Sequence, residues 1–377
     1  MKKKKLLLIN QSGRGGLRKH LCDLMLSLDY EIFEVWVAYN NDEVDDIFRQ
    51  TINQLSGKVT PILINTFVRE LNLKQDIKTY LKLSKIIKKI NPDIVHCHSS
   101  KAGVLGRIAA KRRKIKKVFY TPHWYSFLST EFSPIRRRMF IEIEKILSTH
   151  MTTKTFNTSE GEKNSALSYK IDKNNKFEVI YNGLPNINFP NRMDIRKELE
   201  ISNNVYLFGN TSRLNHQKNP DLFLKIAHEV IKRDKNIHFI WIGNGSLESE
   251  IKDKVVNYNI CDNFHLIGYK ENSEILVSGF DAFLSTSNGE SFGYSAVEAL
   301  RAGVPVLLSN VMGHNEVAIP GLNGELFEVS KQENYYEVIK NFIDETSSFS
   351  KETIKNSFET RFSLESMVRK IENEYYN

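Results

Sequence analysis

Short apolar runs alternate with longer amphipathic stretches along the whole chain, and the alternation stops once and begins again. Strands are predicted at Lys5–Ile9, Phe33–Ala38, Val59–Ile64, Asp93–Cys97, Lys117–Thr121, near Met151–Phe156 and at Glu178–Tyr181. Between the first two, Leu17, Leu21, Leu24, Met25 and Leu28 recur at helical spacing. Further helices are predicted at Asp42–Gln54, Asp76–Ile90, Lys101–Arg113 and Pro134–Leu147. The turn Asn182-Gly183-Leu184-Pro185 and the polar stretch Asn186–Asp194 then break the pattern. It restarts with strands at Val205–Asn210, His238–Ile242, Phe264–Ile267, Asp281–Leu284, Val304–Leu308 and Glu325–Phe327. Helices fall between them at Asp221–Lys232, Glu248–Tyr258, Ser273–Ser278 and from about Gly293, then at Tyr335–Phe342 and Ser363–Tyr376. Strand–helix alternation implies parallel sheets covered on both faces, with ligands at the carboxyl ends of the strands. A chain of 377 residues is long for one core. Two doubly wound α/β domains with a cleft between them are expected: residues 1–183, residues 184–360, and a C-terminal helix over 361–377 packing back toward the first domain.

Several classes are disfavoured. No apolar run approaches the roughly 20 residues of a membrane span. Lys2–Lys5 followed by Leu6–Ile9 mimics a signal peptide, but its apolar run is short of the roughly 7–15 residues of a signal core. Cys22, Cys97 and Cys261 are scattered and odd in number, which suits a reducing cytosol and argues against a disulfide framework. The net charge of +8 divides into +15 for residues 1–200 and −7 for the rest. Lys111–Lys114, Lys116-Lys117 and Arg136–Arg138 concentrate the basic charge, either as a solvated face or as attraction to an anionic membrane or a pyrophosphate-linked acceptor. No nucleic-acid-binding motif accompanies it, so no nucleic-acid partner is expected.

The stretch Ser285–Pro305 carries most of the chemistry. A buried strand runs into small polar residues and then a helix, with Glu290 and Glu298 bracketing the junction. Small residues let backbone N–H groups approach a ligand, and a helix N-terminus favours anionic oxygens. Arg213 and Lys218 follow the first strand of the second half and could neutralise a diphosphate, or be two solvated cations. Gly243-Asn244-Gly245 and Gly268-Tyr269 end the next two strands; a lone Gly-x-Gly is equally an ordinary turn. In the first half, Gly13, Gly15 and Gly16 lack the third glycine of a dinucleotide fingerprint, because position 18 is Arg. His123 follows a strand as either a polar contact or a structural histidine. His96 and His98 share a strand face, and with no third ligand nearby in sequence no metal site is expected. Gly-x-Ser-x-Gly, Walker and Asp-x-Asp patterns are absent.

Together these pieces resemble the retaining, nucleotide-sugar-dependent GT-B glycosyltransferases of family 4 and group 1, which build bacterial capsules, exopolysaccharides and O-antigens. The most specific segment is Glu290-Ser-Phe-Gly-Tyr-Ser-Ala-Val-Glu298, followed by Ala302-Gly-Val-Pro305. Around it stand Ser212-Arg213-Leu with Lys218, Ile242-Gly-Asn-Gly245, Gly268-Tyr269 and Asn182-Gly183. First-half matches are Gly15-Gly16, Val95-His-Cys-His98 with Lys101-Ala-Gly103, Leu105-Gly106-Arg107, and His123. The resemblance implies a GT-B fold, two Rossmann-like domains facing a central cleft. It implies that Arg213 and Lys218 hold the donor diphosphate, with Gly243, Gly245, Gly268 and Tyr269 around the donor. Glu290 would bond sugar hydroxyls, the amides of Ser291, Phe292 and Gly293 would approach sugar and phosphate, and Glu298 would take the ribose. Gly16 would approach the donor phosphates on domain closure, and His123 would contact the transferred sugar. His123, Glu290, Arg213 and Lys218 form the catalytic set; Gly15, Gly16, Arg18, His98 and Lys101 lie on the acceptor side.

The implied activity transfers a hexose or N-acetylhexosamine, with retention, from a nucleotide-sugar, by preference UDP-linked with GDP-mannose open. The acceptor would be a saccharide on a lipid pyrophosphate carrier at the inner face of the cell membrane, where the enzyme would be a cytoplasmic, peripheral protein. No cofactor and no metal is expected. Two positions depart from the group: Pro185 where an Asp is frequent, and Arg18 where many members carry an acid. A nucleotide-sugar 2-epimerase shares the fold and is the enzymatic rival; a nucleotide- or polyanion-binding protein is the non-enzymatic one.

Overall fold

A computed structural model describes residues 2–13, 15–68, 72–129, 131–329, 334–347 and 349–377. The chain divides into two compact units, Met1–Pro185 with Leu364–Asn377, and Asn186–Ser363.

The first unit runs β1 (Lys4–Asn10), α1 (Gly15–Ser27), β2 (Phe33–Tyr39), α2 (Asp46–Gln54), β3 (Val59–Leu63), α3 (Leu73–Ile90) and β4 (Ile94–His98). It continues with α4 (Ser100–Arg112), β5 (Lys117–Thr121), α5 (Pro134–Met151), β6 (Lys154–Asn157), α6 (Glu160–Ser168) and β7 (Phe177–Val179). The strands form one parallel sheet in the order β3-β2-β1-β4-β5-β6-β7. Because successive strand side chains point to opposite faces, the run Leu6–Ile9 feeds two cores. Leu6 and Leu8 join the core that holds Leu21, Leu24 and Met25 of α1, whereas Leu7 and Ile9 join the one with Leu83 and Ile87 of α3. All four are fully buried, the continuous apolar pattern of a strand covered on both sides.

The second unit runs α7 (Arg192–Glu198), β8 (Tyr206–Thr211), α8 (Pro220–Ile231), β9 (Ile237–Ile242), α9 (Glu248–Asn257), β10 (Phe264–Leu266) and α10 (Ser273–Leu276). Then come β11 (Ala282–Ser285), α11 (Tyr294–Ala302), β12 (Val306–Ser309), β13 (Gly324–Phe327), α12 (Tyr335–Thr346) and α13 (Lys351–Phe362). Its parallel sheet has the order β10-β9-β8-β11-β12-β13. The last helix, α14 (Leu364–Tyr376), belongs to the first unit, where Met367, Val368, Ile371 and Tyr375 enter the core shared with α1.

Three helices were not legible in the pattern of apolar residues: α6, α7 and α13. α7 occupies the end of the polar stretch expected to be a linker. Its anchor is Arg196, fully buried, which donates to the carbonyls of Gly279, Ser202 and Val205 and pairs with Asp281. Asp281 also accepts the Leu207 amide at 2.7 Å. An arginine saturated in this way packs as a core residue although composition marks it as surface.

In both sheets the strand order reverses beside the first strand, between β1 and β4 and between β8 and β11. Such reversals leave a crevice at the carboxyl edge, where loops diverge to opposite faces. Asn10 and His98 are register partners at the first edge; Thr211 and Ser285 end the strands at the second.

Candidate functional site

At the second reversal the loop after β8 and the loop after β11 are joined along their length. The Asn288 amide donates to the Gln217 carbonyl at 2.8 Å, and its side chain donates to the His216 carbonyl at 2.9 Å. Gln217 returns a bond to the Gly289 carbonyl at 3.0 Å, and Thr286 donates to the Asn219 carbonyl at 2.8 Å. This framework sets Lys218 Nζ 2.5 Å from Glu290 Oε1. Both side chains are largely withdrawn from water, 19% and 8% exposed. Burial alone would raise the Glu290 carboxyl; the adjacent Lys218 ammonium more than reverses that and holds it below the ordinary carboxylate range.

The α11 N-terminus opens beside this pair. Its N-cap, Gly293, has φ of 86°, a left-handed conformation that a side chain strains. The Ser295 hydroxyl donates to the Thr211 carbonyl at 2.5 Å, fixing the first turn of α11 to the end of β8. Lys218, Glu290, Gly293, Ser295, Ala296 and His314 line a small cavity here. His314 is buried and hydrogen-bonds Ser309 Oγ through Nδ1 at 3.1 Å. Burial pushes it down to about 4, so it is neutral at neutral pH although Glu290 pulls the other way. An ammonium, a carboxylate and a helix N-terminus around one hollow can hold a group that presents anionic oxygens and hydroxyls together.

The other expected second-half residues are distributed around this centre. Glu298 is buried on α11, 8% exposed. Ser291 and Phe292 lie on the loop before it, and the Phe292 ring packs edge-on against Phe362. Arg213 is exposed and forms no ion pair with an acid among the described residues. Gly243 and Gly245 have a packing role: a Cβ on either would stand 2.1 or 2.2 Å from the carbonyl oxygen of Ser212 or Leu214. They let the turn after β9 lie directly on the Arg213 loop. Gly268 has open space around it and Tyr269 is 62% exposed.

In the first unit the expected residues separate into engaged and converging groups. Gly15 and Gly16 open α1 and are exposed. Arg18 pairs with Asp45 at 2.9 Å, and Lys101 with Asp76 at 2.8 Å. His98 and His123 converge, with Nδ1 of the first 3.3 Å from Nε2 of the second. A third imidazole, His20 on α1, stands over both, its ring centroid 5.4 Å from His98 and 4.7 Å from His123. His20 donates through Nδ1 to Asn182 Oδ1 at 2.8 Å. Burial lowers it to about 4 despite that bond, and lowers His98 and His123 well below the usual imidazole value. His123 and Trp124 both have positive φ, 51° and 93°. Glu162 holds this strained turn by accepting the Trp124 amide at 2.7 Å and the Thr158 amide at 2.9 Å. Burial raises the Glu162 carboxyl to about 7 against those bonds.

Sequence reasoning missed His20, Glu162 and His314. His20 precedes Leu21 in an amphipathic helix and reads as one polar position among several. Glu162 had one local signal: Ser159 followed three residues later by Glu162 is a capping box, and Ser159 does accept the Glu162 amide at 3.1 Å. Nothing in the sequence links His314 to a hollow between β8 and β11.

Residues 14–185 match the family model for glycosyltransferase family 4, and residues 191–360 that for glycosyl transferases group 1. The chain is 26% identical over 329 residues to the Escherichia coli UDP-Gal:alpha-D-GlcNAc-diphosphoundecaprenol alpha-1,3-galactosyltransferase, covering 85% of this chain and 84% of that one. It is 30% identical over 314 residues to a 41.2 kDa protein of the Klebsiella pneumoniae cps region, covering 79% and 82%. Anabaena HepE, solved in complex with UDP, superposes with a TM-score of 0.81 over 99% of both chains at 20% identity. The chain therefore belongs to the family 4 and group 1 glycosyltransferases of the GT-B fold and is an enzyme of the transferase class.

Proposed function

We propose that the protein transfers a hexose or N-acetylhexosamine from a UDP-sugar, with retention of configuration, to a saccharide on a lipid pyrophosphate carrier in bacterial surface-polysaccharide assembly. The observation that carries this reading is the Lys218–Glu290 pair beside the α11 N-terminus. The names of the relatives support the donor and acceptor classes, through the UDP of the HepE complex and the diphosphoundecaprenol acceptor of the Escherichia coli enzyme.

In this reading Lys218 turns its remaining donors to the donor diphosphate, and Arg213 closes on it from the exposed side. Charge that accumulates on the departing nucleotide is neutralised by two cations and by the N–H groups of α11. Glu290, kept ionised by Lys218, accepts from hydroxyls of the sugar and fixes its orientation toward the acceptor. Glu298 takes the ribose. Retention follows a front-face path in which the leaving phosphate oxygen receives the acceptor proton, and the protein cations take the place of a metal. No helix among the described residues is long and apolar enough to cross a membrane. The basic first half supports peripheral binding at the inner membrane face.

Incubation with a panel of UDP- and GDP-sugars and a lipid-linked acceptor extract, with nucleotide release as the readout, tests the proposal. Release with a UDP-hexose that EDTA does not abolish, with an α-linked product, is the expected result. Strict loss with EDTA removes the metal-free mechanism, and release from no donor removes the assignment.

A further inference from the structure

Four imidazoles gather at the carboxyl ends of β4 and β5 and over the α1 face beside them, and they are not equivalent. His96 is saturated, with Nδ1 2.6 Å from the Tyr375 hydroxyl and Nε2 2.8 Å from Thr121 Oγ1. His20 buries an Nε2 that meets no hydrogen-bond partner among the described residues, although the ring is only 2% exposed. Because His20 donates through Nδ1 to Asn182, its Nε2 carries a lone pair. A carbonyl holding one imidazole nitrogen so that the other faces inward is the arrangement that orients metal-ligating histidines.

We propose that His20, His98 and His123 form a three-histidine site for a divalent transition cation of the Zn2+ type. Nitrogens bound tetrahedrally at about 2.0–2.1 Å stand about 3.3 Å apart; His98 Nδ1 and His123 Nε2, 3.3 Å apart, share a hydrogen bond whose proton a bound cation would displace. One nitrogen from each of the three rings lies within 4.8 Å of the other two. His20 completes the set by a shift of its ring, which turns on two side-chain torsions. Three protein ligands leave a fourth position for water or a substrate oxygen, and His123 is the least buried of the three. Of the acids on neighbouring elements, Asp45 pairs with Arg18, Asp76 with Lys101, and Glu162 accepts two backbone amides. An all-imidazole set selects zinc-like ions over magnesium or calcium, which require oxygen ligands.

Occupancy withdraws His123 from the sugar contact that the family resemblance gives it, so the cation inhibits transfer; that consequence alone rests on the proposed function. The site itself is tested by binding. Co2+ is titrated into the full chain after EDTA dialysis, in a His238→Ala/His265→Ala background. That change removes a second imidazole pair, whose Nδ1 and Nε2 lie 3.1 Å apart. The expected result is a visible tetrahedral Co2+ band saturating at one equivalent and displaced by Zn2+. His20→Gln and His98→Gln should each lose the band, and Asn182→Ala should weaken binding by about 10- to 100-fold as an orienting partner does. His123→Ala, on a half-buried turn, serves the same purpose if a core variant does not fold by circular dichroism. Absence of the band in the parent, or its persistence in the folded ligand variants, overturns the site. UDP-sugar binding, measured in parallel on the same proteins, separates that failure from failure of the transferase reading.

Discussion

Lys218 and Glu290 depend on each other more than on water. Removing the ammonium leaves a carboxylate that is 8% exposed without its counter-charge. Lys218→Ala is therefore expected to lower kcat by about 10²- to 10³-fold, the scale of one lost electrostatic partner for a developing charge. Steady-state nucleotide release measures it, and unchanged turnover would remove Lys218 from the site. The same pair sets a pH dependence. The folded Glu290 lies below its ordinary value of 4.5, so its stabilisation is complete above that value and is lost as pH falls through the lowered one. In Lys218→Ala the acid limb of thermal stability should move to higher pH, which a melting series from pH 3 to 7 reads. Gly293→Ala introduces a side chain at φ 86° with its Cβ 3.3 Å from the His314 ring. The strain is about 1–2 kcal/mol, and a loss of activity larger than the loss of stability is expected, because the first turn of α11 moves with it.

Elements were legible where one physical cause dominated. Leu6–Ile9 and Phe283-Leu284 read as buried strands because both sheet faces are covered, and the Glu290–Glu298 segment was legible because loop and helix are contiguous in sequence. α7 was illegible because its organising residue is Arg196, whose burial depends on carbonyls and an acid supplied from distant positions. The histidine cluster failed for the same reason: β1, β4 and β5 meet only after the sheet has formed, so positions 20, 98 and 123 show no ligand spacing. Arg196→Ala leaves Asp281 and three carbonyls short of a partner. Asp281 keeps Arg192 and the Leu207 amide, so the expected cost, about 1–3 kcal/mol for each carbonyl left without a donor, is read as a fall in the denaturant midpoint of the second unit.

At the level of the molecule, the two units differ in how the chain closes them. Residues 186–363 form the second without interruption, whereas the first needs residues 364–377 to complete the core that α1 and the sheet share. Met367, Val368, Ile371 and Tyr375 are at most 6% exposed there, each contributing on the order of 1.5–3 kcal/mol by leaving water. Deleting residues 364–377 should unfold or severely destabilise the first unit, while UDP binding by the second persists. Limited proteolysis with UDP affinity on the same sample checks both halves of that expectation.

A ribosome synthesises this chain at about 5–20 residues per second, N-terminus first. The first 185 residues must therefore wait, with the apolar surface that α14 covers exposed, while the remainder is made. The segment that emerges later is complete sooner, inverting the usual vectorial order. For some tens of seconds during translation the nascent chain is a natural client for a chaperone that shields apolar surface.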